Sequence, residues 1–220
     1  MDYETEEQQL EAIKKWWKEN AIMLVGGVVV GVAGIFGWQS YQQQTIKHAE
    51  EASIIYEQVS LNVQDMNAVN DQLIKVNKLE AEYADTPYAS LSALLISKQQ
   101  MASGEFAKAQ QQLQWVIENA KQDEIKYLAK LRMARLFLST DKADQAFLIA
   151  SESFPESFQA MALELKGDAL LIQGNADMAR QAYTQAKAIS STPSRWLQLK
   201  IDDIGETSKP QNDIATEPSA

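Results

Sequence analysis

Gly104-Glu105-Phe106-Ala107-Lys108-Ala109 reads as a turn followed at once by a helix start, and the chain repeats it twice. The second copy is Asp141-Lys142-Ala143-Asp144-Gln145-Ala146, and the third is Gly174-Asn175-Ala176-Asp177-Met178-Ala179. Small or apolar residues continue each helix at Leu113 and Val116, at Ala150 and Ser153, and at Tyr183 and Ala186. The alignable alanines Ala109, Ala146 and Ala179 stand 37 and 33 positions apart. Twelve positions before each lies another small residue: Ser97, Ala134 and Gly167. A small residue in each of two adjoining helices lets their backbones approach closely. No run of alternating polar and apolar residues marks a strand.

A period near 34 residues with small residues at these two places matches the tetratricopeptide repeat, a helix–turn–helix unit. The match has departures. The tryptophan near the start of the first helix is missing, Gln100 stands where an aromatic belongs, and the copies differ in length. Chance alignment of alanine-rich helices is the plainer alternative. The fold expected is all-α: one N-terminal transmembrane helix followed by a tetratricopeptide-repeat-like α-solenoid.

Working outward, residues 42–60 read as a long helix with Ala49, Ala52, Ile55, Tyr56 and Val59 on one side. Residues 69–84 read as a second helix, with Leu73, Val76, Leu79 and Tyr83. Thr86-Pro87 starts another, a Thr cap before a proline at the first helical position, which runs to about Ala102. Pro155 interrupts the chain after the second repeat, and Thr192-Pro193 opens a last helix with Trp196, Leu197, Leu199, Ile201 and Ile204. This helix is placed to cap the apolar end of the stack. From Gly205 onward the chain is polar, with Pro210 and Pro218, and reads as a disordered tail over 205–220.

Ala21 to Trp38 contains no charged or strongly polar side chain, and Gln39 and Ser40 extend the uncharged run. About 20 helical residues cross a hydrocarbon core. Trp16 and Trp17 precede the run, and Trp38 and Tyr41 end it, where amphipathic rings prefer a membrane interface. A cleaved signal peptide needs a basic start, a shorter apolar stretch and small residues at a cleavage site. Here the start is acidic at Glu4, Glu6 and Glu7, and bulky Phe36 and Trp38 stand at the far end. A retained anchor is therefore expected. Lys14, Lys15 and Lys18 flank it on the N-terminal side, against Lys47 on the other. The expected order is a cytoplasmic flank at 1–20, the span at 21–40 and an outer, periplasmic domain at 41–204. Residues 6–19 form either a short amphipathic helix at the inner surface, with Leu10, Ile13, Trp16 and Trp17 on one side, or a plain flank. Gly27 and Gly31 form one small-xxx-small pair and Ala33 and Gly37 another. Such pairs either pack on a second membrane helix or reflect the general abundance of glycine in spans.

The formal net charge is -10, and residues 41–204 hold 21 acids against 16 bases without a basic stripe. Nucleic acid is not an expected partner, because phosphate binding needs clustered Lys and Arg. Cysteine is absent, so disulfides, thiolate metal sites and thiol catalysis are excluded. The single histidine, His48, cannot by itself form a zinc site, and no second ligand of suitable type clusters with it. No phosphate loop, nucleophile elbow or zinc-protease motif occurs, so no cofactor and no enzymatic activity are expected.

A binding surface is expected instead. The first helix of each repeat pair lines the concave face of such a stack. Alignment on the small residue places Leu91, Leu94, Lys98 and Met101 there from the first repeat. The second supplies Leu128, Leu131, Arg135 and Leu138. The third supplies Met161, Glu164, Asp168 and Leu171. An open face of this composition suits an extended or helical peptide. The alternative is that these leucines are core, or lie under the 42–60 helix.

The whole layout resembles the YfgM family, the ancillary subunit of the bacterial SecYEG translocon, over about residues 1–204. The resemblance is carried by Glu11-Ala12-Ile13-Lys14-Lys15-Trp16-Trp17-Lys18-Glu19-Asn20 before a glycine-rich span, by Thr86-Pro87-Tyr88-Ala89, by Gly104 to Ala109 and by the closing Leu199-Lys200-Ile201. It implies a single-pass inner-membrane protein with a periplasmic repeat domain. Its partners would be the SecYEG translocon and the membrane-anchored chaperone PpiD, and its role to pass newly translocated client polypeptides to periplasmic chaperones. The resemblance also implies a part in envelope stress regulation. The rival reading is a periplasmic scaffold of an envelope complex unrelated to secretion.

Overall fold

A computed structural model of the chain describes residues 6–62, 69–190 and 195–205. Among these residues the chain forms helices and turns and no strand. The helices are α1 (Glu6–Asn62), α2 (Val69–Glu82), α3 (Pro87–Ala102), α4 (Phe106–Asn119), α5 (Asp123–Ser139), α6 (Ala143–Ala150), α7 (Glu156–Ile172), α8 (Ala176–Ile189) and α9 (Arg195–Asp203). The chain divides into two compact units, residues 1–51 and 52–220.

In the first unit, α1 carries a stretch long and apolar enough to cross a membrane, and none of it is buried. Ile22, Val28, Val30, Ile35 and Phe36 all project into open space. Soluble helices bury such a stripe; an all-round apolar surface belongs in lipid. Nothing packs within 4 Å of where a Cβ would stand on Gly27, Gly31 or Gly37.

The second unit is a stack of helical hairpins. α3 pairs with α4, α5 with α6 and α7 with α8, and each second helix packs on the first helix of the next pair. The last turn of this rule is α8 on α9. The three aligned turns share one geometry. Gly104, Asp141 and Gly174 take φ of 75°, 58° and 80°. In each, the following amide reaches back five residues, from Glu105 to the Gln100 carbonyl, from Lys142 to Phe137 and from Asn175 to Leu170, at 2.8 to 2.9 Å. This is a Schellman stop, which needs one left-handed residue. Glycine adopts it freely and aspartate better than most.

The small residues do what their spacing suggested. Ser97, Ala134 and Gly167 are buried, as are Ala109, Ala146 and Ala179. The tightest approach is at Gly167, where an added Cβ would fall inside the ring of Tyr183. One continuous core runs through α3 to α7, including Leu113, Val116, Leu131, Leu136 and Leu165. A smaller cluster joins Leu170, Ala182, Tyr183 and Ala186 to Leu197 of α9.

Ahead of the repeats, Ala52 of α1 packs with Leu79, Tyr83 and Ala89, and Val59 with Val76 and Ile96. Thr86-Pro87 does open α3, with proline in the first turn. The Thr86 hydroxyl, however, donates back to the Tyr83 carbonyl at 2.8 Å instead of accepting from the new helix. Thr86 is buried in the corner, so its hydroxyl closes the turn from α2. The expected Thr192-Pro193 start, and all of the expected 205–220 tail except Gly205, lie outside the described residues.

Candidate functional site

An open cleft of about 770 Å³ lies where α5, the start of α7, the end of α8 and α9 meet. α5 contributes Arg135, and the first half of α7 contributes Glu156, Ser157, Ala160, Met161 and Glu164. Ala186, Ile189 and Ser190 at the end of α8 and Leu197 of α9 complete it. The antiparallel α7–α8 hairpin explains this assembly, since it sets the start of α7 beside the end of α8. The floor is apolar: Met161 is 39% exposed and Ile189 48%.

Polar groups divide unequally around that floor. Glu164 accepts from Lys200 Nζ at 2.7 Å. Lys200 also donates to both oxygens of Asp168, at 2.7 and 2.9 Å. Asp168 in turn accepts from the Tyr183 hydroxyl at 2.7 Å. Burial pulls the Lys200 ammonium toward its neutral form, but its bonds to Asp168 and Glu164 outweigh this and raise its pKa. The Tyr183 hydroxyl is pushed well up, first by burial, then by its bond to Asp168 and the charges of Asp168 and Glu164. This network ties α7, α8 and α9 together. It is a structural clasp, with every member committed.

Arg135 is different. It is exposed, and among the described residues no carboxylate pairs with it. One turn earlier, Arg132 donates from Nη1 to the Leu94 carbonyl at 2.9 Å, bridging α5 to α3. Burial, and next the charge of Arg135, lower the pKa of Arg132.

The concave-face expectations divide accordingly. Arg135, Met161 and Glu164 come together at the cleft. Leu94 and Leu131 do not: both are core residues, 3% and 1% exposed. Packing of α3 against α5 turns them inward, so the alternative that these leucines are core holds for this pair. The 52–62 segment does not cover them, since their cluster draws only on α3 to α7 and the loops between. Met101, Leu128 and Leu138 are half-buried against the same core, and Leu91 is half-buried. Lys98 and Leu171 are exposed away from the cleft lining. Asp168 belongs to the clasp. The sequence reading missed Ile189, Leu197 and Lys200. The heptad-like spacing of Leu197, Lys200, Ile201 and Ile204 was the available signal that one face of α9 meets α7 and α8. No group of His, Asp and Glu able to hold a metal occurs among the described residues.

A stack of hairpins with Schellman turns, closed by a short terminal helix, defines a tetratricopeptide-repeat-like module. The tetratricopeptide repeat-like domain family matches residues 14–206, most of the chain. A protein of Escherichia coli K12 named "Ancillary SecYEG translocon subunit" is 30% identical over 204 residues, covering 92% of this chain and 98% of that one. Proteins of the same name from Aggregatibacter actinomycetemcomitans and Haemophilus influenzae are 29% and 26% identical, each over 90% of this chain and 97% of theirs. The chain therefore belongs to the family of ancillary SecYEG translocon subunits. No solved structure matches it.

Proposed function

We propose that the protein is a non-enzymatic adaptor of the Sec translocon, anchored in the bacterial inner membrane by the apolar part of α1, with its repeat unit in the periplasm. The observation that carries this reading is the extent of the likeness. The relatives named as translocon subunits match over nine-tenths of this chain and nearly all of their own length, which takes in apolar helix and repeat unit together. The lysines before the span, Lys14, Lys15 and Lys18, favour a cytoplasmic N-terminus. In this arrangement α1 meets SecYEG in the plane of the membrane. The repeat unit meets newly translocated polypeptides and a membrane-anchored chaperone of the PpiD type. Confinement to one plane raises the effective concentration of weakly interacting surfaces without requiring high affinity.

The test is affinity purification of the full chain from membranes in mild detergent. SecY, SecE and SecG are expected to co-purify, and a span with Gly27 and Gly31 changed to Leu reports whether the glycine face makes that contact. An envelope complex without Sec subunits in the eluate would instead establish the scaffold reading.

A further inference from the structure

We propose that α9 docks against α9 of a second copy of this chain, antiparallel and about a two-fold axis at Leu199, with Trp196 and Leu199 as the apolar centre and Arg195 of each copy facing the partner's Asp203. The inference goes beyond the adaptor reading and takes from it only that each copy is held in the membrane. The exposure pattern of the helix is the starting point. α9 buries Leu197 at 3% exposure and half-buries Gln198, Lys200, Ile201 and Ile204. Its exposed residues are Arg195, Trp196, Leu199, Asp202 and Asp203, which lie at three- and four-residue spacing along one stripe. The helix that ends a stack of repeats ordinarily turns a polar face outward. Here that face carries a tryptophan at 76% and a leucine at 41% exposure.

Charge selects the occupant. Arg195 is the first residue of α9, and Asp202 and Asp203 are the last two. That order opposes the helix's own dipole, which favours acids at the N-terminal end and bases at the C-terminal end. Asp202 accepts from Gln198 at 2.7 Å, whereas neither Arg195 nor Asp203 has an ion-pair partner among the described residues. A second α9 laid alongside in the opposite direction reverses both penalties. Each Arg195 then meets the partner's Asp203 and the negative end of the partner's helix. The stripe thus complements itself, residue i of one copy facing residue j of the other and j facing i, as a two-fold contact requires. A parallel pair would instead set arginine against arginine and aspartate against aspartate. Nine residues give two turns of contact, short of the roughly 1,200 Å² at which stable interfaces begin. The contact is therefore weak in solution and depends on two copies sharing one membrane.

The chain has no cysteine, so introduced cysteines report only the chosen contacts. The full chain, at its native level in bacterial membrane vesicles, is oxidised with copper phenanthroline. Leu199→Cys is expected to give a disulfide-linked dimer. Arg195→Cys alone should give at least about fivefold less, because the two copies of that position stand two helical turns apart. Co-expressed with Asp203→Cys, it should form the mixed dimer. Arg195→Asp should cut the Leu199→Cys dimer by about fivefold or more through like-charge repulsion, and adding Asp203→Arg should restore it. All of these side chains are exposed, so the fold is not at stake. No dimer from Leu199→Cys, an equal yield from Arg195→Cys alone or from the exposed Ile172→Cys of α7, or a dimer unmoved by Arg195→Asp would overturn the proposal. So would a disulfide within one chain between Leu199→Cys and Ile214→Cys in place of the dimer, which would give the face to the C-terminal segment, or an adduct with another protein alone. Sec subunits are measured in the same membranes. Their failure to co-purify would sink the adaptor reading and leave the dimer result intact.

Discussion

Single side chains set the tightest constraints in this protein. At Gly167, an added methyl group has no room beside the Tyr183 ring, and that ring is itself fully buried and held by Asp168. Gly167→Ala is expected to destabilise the repeat unit by about 1–3 kcal/mol in urea titration, the usual cost of overpacking. Asp141 carries the opposite opportunity. It is the non-glycine member of the three left-handed turn positions, and Asp141→Gly should raise stability by about 0.5–1 kcal/mol after the entropy of the unfolded glycine is subtracted. Glu80 supplies a pH dependence. Burial raises its pKa from 4.5 to about 7, and its Oε1 has no hydrogen-bond partner. The folded state thus holds a proton that the unfolded chain releases from pH 4.5 upward. Its burden is absent below that pH and grows until the pH passes 7. Partial solvation limits the effect to about 1 kcal/mol. Glu80→Gln should therefore be more stable than the parent at pH 8 and similar to it at pH 4, as read by thermal melts at the two pH values.

At the scale of the element, α9 decides how the stack ends. Leu197 is buried against α8 while Trp196, next to it, is 76% exposed. Nine residues cannot hold a helix by propensity alone; packing of Leu197 and the three short bonds from Lys200 fix it. Lys200→Met should cost about 1–2 kcal/mol, between the limits for exposed and buried pairs. It should also loosen the α9 amides selectively in hydrogen exchange, leaving α3 to α6 unchanged. Because the folded ammonium has a raised pKa, this contribution is complete through neutral pH and fades only in strong alkali, above the ordinary 10.5. The turns between paired helices were legible from Gly104, Asp141 and Gly174 because a left-handed residue is a local requirement. The clasp was not legible. Lys200 lies 36 and 32 positions from Glu164 and Asp168, and no local rule joins them.

At the scale of the whole molecule, the proposed topology makes a direct prediction. Protease added to intact spheroplasts should degrade the repeat unit, whereas full protection until lysis would place that unit in the cytoplasm. The apolar run of α1, the hairpin count and the turn positions were all readable in advance, since each follows from composition or from a short-range periodicity. The concave face was only partly readable. Leu94 and Lys98 lie four apart on α3 and share a nominal face, yet one is core and the other exposed. Arg135 and Leu131 divide in the same way on α5. Helical spacing tells which residues neighbour one another on a cylinder, but the roll of that cylinder against its neighbours tells which of them meets water. By itself, the sequence determined an apolar helix followed by stacked hairpins, because hydrophobic period, small residues and left-handed turns are written locally. The tertiary structure alone decided that Glu164 and Asp168 share Lys200 while Arg135 meets no carboxylate among the described residues, because pairing of charges depends on where α9 comes to rest across α7 and α8.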